Sequence, residues 1–450
     1  MLNSGSRLTR WLGSAPASVL NSYAVGCAFF AYFFVYAFRK PFLAATYSGL
    51  HFAGSGIYLK TAFVVSQILG YTVAKYLGVK LNSEATRSRR LPAIIALVVI
   101  AELALVLFGA APPEWKVAAI FFNGLPLGLV WGLFVQYLEG RRTSDFLLSG
   151  LACSFIVASG VFKDVGRAML AGGPLPMLGI QLPNPFPALG EFWMPAAAGL
   201  FFAPAFLFVI WLLDQMPEPT LADRAARTER EPMGAARRRQ FLRTYLPGIV
   251  LLVVAYVLLT TFREYRDNYM VEILDQLGYS YAANTSIMTN IELGVGLGVL
   301  GVMSLLFMVK DNRRALVAVF FVIAAGFLLI GIATLLHARG TIDGFWWITL
   351  IGLGGYMAYV PYNSVLFDRL MASTHFVGTA VFAIYLADSA GYTGSCVVQL
   401  GKDLFASQLS RAKFLQAFCF LIAVVGTVCV SAGGVYFSRV RQGSEQSGVK

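Results

Sequence analysis

Charge is what this 450-residue sequence has least of. Asp, Glu, Lys and Arg make up 13% of it, where a soluble globular domain carries about 25%. With 58% hydrophobic residues and a mean hydropathy of +0.69, that shortage excludes a soluble enzyme. Histidine is nearly absent: His51, His337 and His375 are too scattered for a His-based metal site. The five cysteines (Cys27, Cys153, Cys396, Cys419, Cys429) lie in apolar runs without a Cys-x-x-Cys spacing. They read as small buried residues. No Ser/His/Asp arrangement stands out. Gly294, Gly296 and Gly298 follow no strand and lie in an apolar run, which suits close helix packing better than a phosphate loop. Neither an enzyme nor a cofactor is expected. No cleavable leader is evident, because the apolar run after Arg7, Arg10 and Trp11 is too long for a signal core.

Long apolar runs are abundant instead. A run of about 20 such residues spans a bilayer as a helix. Twelve are expected, at roughly 21–46, 57–79, 91–111, 115–138, 145–171, 191–213, 244–272, 283–309, 314–337, 343–369, 375–400 and 411–438. The fold class is therefore an all-α integral membrane protein. The net charge of +12 would suggest nucleic acid in a soluble chain, but here most of the excess lies in alternate loops. Lys75, Lys80, Arg87, Arg89 and Arg90 fall in one, and Arg141 and Arg142 in the next of that set. The stretches 47–56 and 172–190 have no cation. The positive-inside rule then places both termini and the 214–243 segment in the cytoplasm, in a membrane of bacterial inner type. That segment holds seven arginines, including the run Arg237-Arg238-Arg239. It divides the chain into a bundle at 1–213, a basic linker at 214–243 and a bundle at 244–450. The 172–190 stretch reads as an ordered cap or a simple connection.

The two halves echo each other. Tyr32, Tyr36 and Arg39 are spaced to share one helix face. Tyr256, Thr260 and Arg263 repeat that spacing at an offset of 224 residues. A six-plus-six repeat is a transporter architecture. Twelve helices, the basic central segment and cytoplasmic termini resemble the major facilitator superfamily. Tyr36-Ala37-Phe38-Arg39-Lys40-Pro41-Phe42 is similar to the first-helix signature of its organophosphate:phosphate antiporters. The resemblance implies that Arg39 and Arg263 clamp a substrate phosphate. Pro41 stands where that signature has Asn. The superfamily's Gly-x-x-x-Asp-Arg loop is missing between helices 2 and 3, where Gly70-Tyr71-Thr72-Val73-Ala74-Lys75-Tyr76 stands, and only the remnant Lys310-Asp311-Asn312-Arg313-Arg314 occupies the later loop.

Charges inside spans are costly, roughly 2.5–3.5 kcal/mol each on insertion scales, and so mark candidates. Arg39 offers a fixed fork of donors to phosphate or carboxylate; a snorkelling arginine is the bland alternative. Lys40 points about 100° away on a helix and either assists or pairs with a carboxylate. Lys163 sits in Lys163-Asp164-Val165-Gly166-Arg167, as a substrate cation or part of an ion pair at a helix end. In helix 7, Arg263 is the substrate candidate, and Arg266 and Asp267 an ionic gate or a solvated helix end. Asp388 and Glu102 are deep carboxylates suited to coupling or gating, or to interhelical pairs; Glu292 reads similarly. Tyr32, Tyr36 and Tyr256 would shape the cavity.

The expected function is secondary transport of a small anionic solute, with organophosphate/phosphate exchange as one mode. Rival readings are a proton-coupled carrier of a non-phosphorylated organic anion and a transporter-like sensor that moves nothing. The expected partners are the solute and membrane lipids, not nucleic acid, and a monomer is compatible with the sequence.

Overall fold

The computed structural model describes residues 6–84, 87–139, 141, 143–186, 189–220, 223, 235–309, 311–367, 369–370 and 380–447. The helices are α1 (Arg7–Ser14), α2 (Ala17–Val35), α3 (Leu59–Glu84), α4 (Arg87–Ala110), α5 (Pro113–Leu138), α6 (Ser144–Ala171), α7 (Met194–Asp214), α8 (Ala235–Asn268), α9 (Met270–Gln276), α10 (Ile287–Phe307), α11 (Asn312–Ala338), α12 (Gly344–Pro361), α13 (Ala380–Phe405) and α14 (Arg411–Ser447). Among the described residues, nine segments are long and apolar enough to cross a membrane. Three more helices, α3, α12 and α13, stand where spans are expected. Their composition is diluted by side chains they turn inward. α3 buries Lys60, Thr61, Ser66 and Gln67, and α13 buries Asp388, Ser395, Gln399, Lys402 and Asp403. The protein is an all-α integral membrane protein, with one small exception. In the 172–190 stretch, β1 (Leu175–Met177) pairs antiparallel with β2 (Ile180–Leu182). Leu178 and Gly179 between them both have positive φ, the backbone a two-residue hairpin turn requires. The described hairpin is therefore ordered.

Two compact units make up the chain. One holds residues 1–227 with 279–293, the other 228–278 with 294–450. In the first, α3 and α5 approach at backbone distance. A Cβ on Gly70 would lie 2.3 Å from the Phe121 carbonyl oxygen, and one on Gly124 2.4 Å from that of Gln67. Small residues allow such contact where no hydrophobic effect drives helices together in lipid. In the second unit, Gly326 of α11 and Gly354 of α12 face each other in the same way.

Several expected boundaries move. Gly70–Tyr76, which stands where the superfamily's loop motif would be but lies inside the expected span 57–79, is helical in α3. The basic run Arg237-Arg238-Arg239 stands on the first turns of α8 rather than in an irregular tether. The first span does not run on as helix to residue 46. α2 ends at Val35, followed by tight 3-10 turns at Tyr36–Phe38 and Pro41–Ala44. Pro41 cannot donate a main-chain hydrogen bond and disfavours helix at the residue before it. Of the segments named above, Arg142, Lys310, His375 and most of the interior of 214–243 lie outside the described residues.

Candidate functional site

A helix broken at membrane depth leaves main-chain carbonyls without helical partners, and these must be satisfied by neighbouring protein. Here four side chains do so. Asn123 Nδ2 donates to the Phe38 carbonyl at 2.9 Å and to that of Ala101 at 3.0 Å. Gln67 Nε2 donates to the Arg39 carbonyl at 3.4 Å and to Asn123 Oδ1 at 2.8 Å. Lys60 Nζ donates to the Leu43 carbonyl at 2.8 Å, and the Tyr47 hydroxyl to that of Phe42 at 3.0 Å. α3 and α5 thus hold the break in place.

The break aims Arg39. Its residue has left the helix, with φ −121° and ψ −45°, so the expected single helical face of Tyr32, Tyr36 and Arg39 does not extend to the arginine. The guanidinium still reaches Tyr36, whose hydroxyl accepts from Nη1 at 3.2 Å, and its Cζ lies 5.4 Å and 4.7 Å from the Tyr36 and Tyr71 ring centres. Such stacking stabilises a cation. Tyr32 backs the assembly, 5.8 Å from the Tyr36 ring and 5.0 Å from Trp131. Arg39 is half-buried and Lys40 buried.

α6 adds its own charges beside this turn. A Cβ on Gly166 would meet Ala44 at 2.7 Å and the Pro41 carbonyl oxygen at 3.1 Å, so α6 lies directly on the Pro41–Ala44 turn. Lys163 and Arg167 flank that glycine, both buried, and Arg167 Cζ lies 5.0 Å from the Tyr281 ring centre. Burial, with the nearby Asp164 carboxylate, raises the Tyr281 hydroxyl above its ordinary pKa, against the opposing pull of Arg167. Asp164 Oδ2 accepts from both the main-chain N and the hydroxyl of Thr289, each at 2.7 Å. It caps the start of α10 from another helix, and Gly160 allows the approach, since a Cβ there would lie 2.4 Å from the Met288 carbonyl oxygen.

The second unit places Arg263 over a tyrosine too, 4.2 Å from the Tyr359 ring centre. It sits on helical backbone of α8 well past the kink at Tyr245, with Nη2 2.5 Å from Glu264 Oε1. The Tyr256 hydroxyl donates to Asp388 Oδ1, and the Tyr256 ring stacks 5.7 Å from Tyr359. Arg266, expected at a gate, is buried and donates through Nε and Nη2 to the Ile348 carbonyl at 3.2 and 3.1 Å. Gly352 provides the space, as a Cβ there would lie 2.4 Å from the guanidinium. Asp267 is buried on the same helix. Glu102 lies in the first unit, against Gly199 of α7.

The buried charges divide unevenly. Among the described residues the first unit buries five cations, Lys40, Lys60, Lys116, Lys163 and Arg167, against two carboxylates, Asp164 and Glu292. The second buries Arg266, Lys402 and Arg411 against Glu264, Asp267, Asp388 and Asp403. Sequence reasoning missed Gln67, Tyr71, Asn123 and Thr289. Tyrosines and lone amides in apolar runs carry no sign of what they face.

A solved structure described as a D-xylose-proton symporter matches 93% of this chain and 97% of its own, with a TM-score of 0.55 and 17% identity; at that identity the likeness is one of fold. The chain belongs to the family of unknown function DUF5690, whose family model matches residues 41–440. No curated protein matches it.

Proposed function

We propose that the chain is a secondary active transporter moving a small anionic solute by alternating access. The carrying observation is Arg39, aimed by the broken first span and standing over Tyr36 and Tyr71, with α6, which carries buried Lys163 and Arg167, packed on the turn that follows. Guanidinium with ammonium suits a phosphate or carboxylate, and Lys40, next to Arg39 in sequence, is buried. Arg263, which pairs with Glu264, is the counterpart in the second unit. Exchange of an organophosphate for phosphate is one mode of this activity, in a bacterial inner membrane with both termini cytoplasmic.

Reconstituted protein is tested for uptake of labelled phosphate, sugar phosphates and sugar acids. Arg39→Lys keeps the charge but loses the fork. It is expected to weaken apparent affinity about tenfold or more, the scale of one charge-assisted hydrogen bond of about 1.5–3 kcal/mol. Uptake confined to neutral solutes, or equal anion uptake by the variant, would overturn the reading.

A further inference from the structure

Glu102 is a half-buried acid that the cation cluster does not use. It lies midway along α4, and its carboxylate points at α7 where residue 199 is glycine. A Cβ there would fall 2.0 Å from Oε2 and 3.0 Å from the Phe38 ring. The seam between α4 and α7 is thus shaped around this one carboxyl group. Among the described residues no donor reaches Oε2, which is itself shielded from solvent.

Among the described residues, α5 and α7 supply no counter-charge at its level. α7 carries no ionisable side chain from Met194 to Leu213. α5 brings Glu114 and Lys116 near its start and Tyr137 near its end, and the Lys116 ammonium is committed to the Phe108 and Gly109 carbonyls at 2.7 and 3.2 Å. The turn before Arg39 brings Tyr36, which accepts from Arg39 itself. An ionised carboxylate so placed is costly in hydrocarbon, whereas the protonated acid is not.

We propose that Glu102 is a reversible proton-binding site whose occupancy is read at Arg39. The connection is physical. The Phe38 ring abuts the carboxyl group. Asn123 clamps the Phe38 carbonyl to that of Ala101, the residue preceding Glu102. Arg39 follows Phe38 directly. Charging the carboxyl draws water or a donor into the seam and shifts the Phe38 turn, and the arginine moves with it. The use of that proton as the coupling ion rests on the transport reading above; the site itself does not.

The test needs no solute. Infrared difference spectra of the full-length protein in lipid, taken between about pH 5 and about pH 9, on either side of neutrality, should show a protonated-carboxyl band that Glu102→Gln removes. Over the same range the rate at which phenylglyoxal modifies Arg39, read by peptide mass spectrometry, should change by about fivefold or more relative to Glu102→Gln, the low end of typical site-to-site coupling. Gly199→Ala, which crowds the carboxyl group without removing it, should shift the band and supplies a second variant if Glu102→Gln does not fold. An unchanged band in Glu102→Gln would overturn the site. A lost band with the same Arg39 profile in both proteins would overturn its link to Arg39. Failure of anion uptake with both results positive would count against the transport reading alone.

Discussion

Asn123 shows how much a single uncharged side chain does in this protein. Its amide donates to carbonyls on two elements while its oxygen accepts from Gln67, so one group satisfies much of what the helix break leaves open. Asn123→Leu strands the Phe38 carbonyl, and an unsatisfied buried polar group costs about 1–3 kcal/mol. The thermal midpoint in detergent should fall by about 2–4 °C for each kcal/mol lost; an unchanged midpoint would show that the break is held by other means. Arg39 and Lys40 were legible in the sequence because charge in an apolar run is expensive and therefore conspicuous. Asn123 was not, since a lone amide in such a run reads equally as packing. Glu102 was legible as a deep acid, but its setting against Gly199 was not, because glycine in a span has many uses.

The elements were legible in number more than in form. Apolar runs report length, and each expected span has a helix at its position, yet a run does not report an interruption. Pro41 was visible as a departure from a motif; its physical effect, ending the helix before Arg39, shows only when the turns at Tyr36–Phe38 and Pro41–Ala44 are seen. The same limit hid the role of Gly70, a contact point of α3 on α5. Gly124→Val should remove that contact, because a branched side chain cannot fit where even a Cβ lies 2.4 Å from a carbonyl oxygen. Overpacking typically costs about 1–3 kcal/mol, and contact with rigid main chain places this change at the high end. The expected result is a marked drop in monodisperse protein on size-exclusion chromatography, whereas Gly301→Val, where a Cβ meets nothing within 4 Å, should behave like wild type.

At the scale of the whole molecule, the sidedness expected from loop charges can be tested. If both termini are cytoplasmic, the β1–β2 hairpin faces the opposite side. Its Ile180 is 64% exposed, and the five native cysteines are buried. In intact cells, Ile180→Cys should therefore react with a membrane-impermeant maleimide, whereas Ser14→Cys, in exposed α1, should react only after the cells are opened. The reverse pattern would invert the orientation. The uneven division of buried charge was not legible at this scale, because it depends on which ionisable groups face inward, and sequence spacing alone leaves Glu264 and Arg266 ambiguous.

The broken first span also sets a schedule for synthesis. Its free carbonyls and its two cations make it a poor membrane segment on its own, and the groups that complete it, Lys60, Gln67 and Asn123, belong to chain made later. At about 5–20 residues per second, the ribosome needs roughly 4–16 s to pass from residue 44 to residue 123. During that interval the segment has no finished place in the bilayer. Its N-terminal half is anchored by apolar side chains, and its Arg39 end waits for α3 and α5. The nascent protein thus has a brief window in which an insertase or chaperone that shelters a polar helix end would decide the yield.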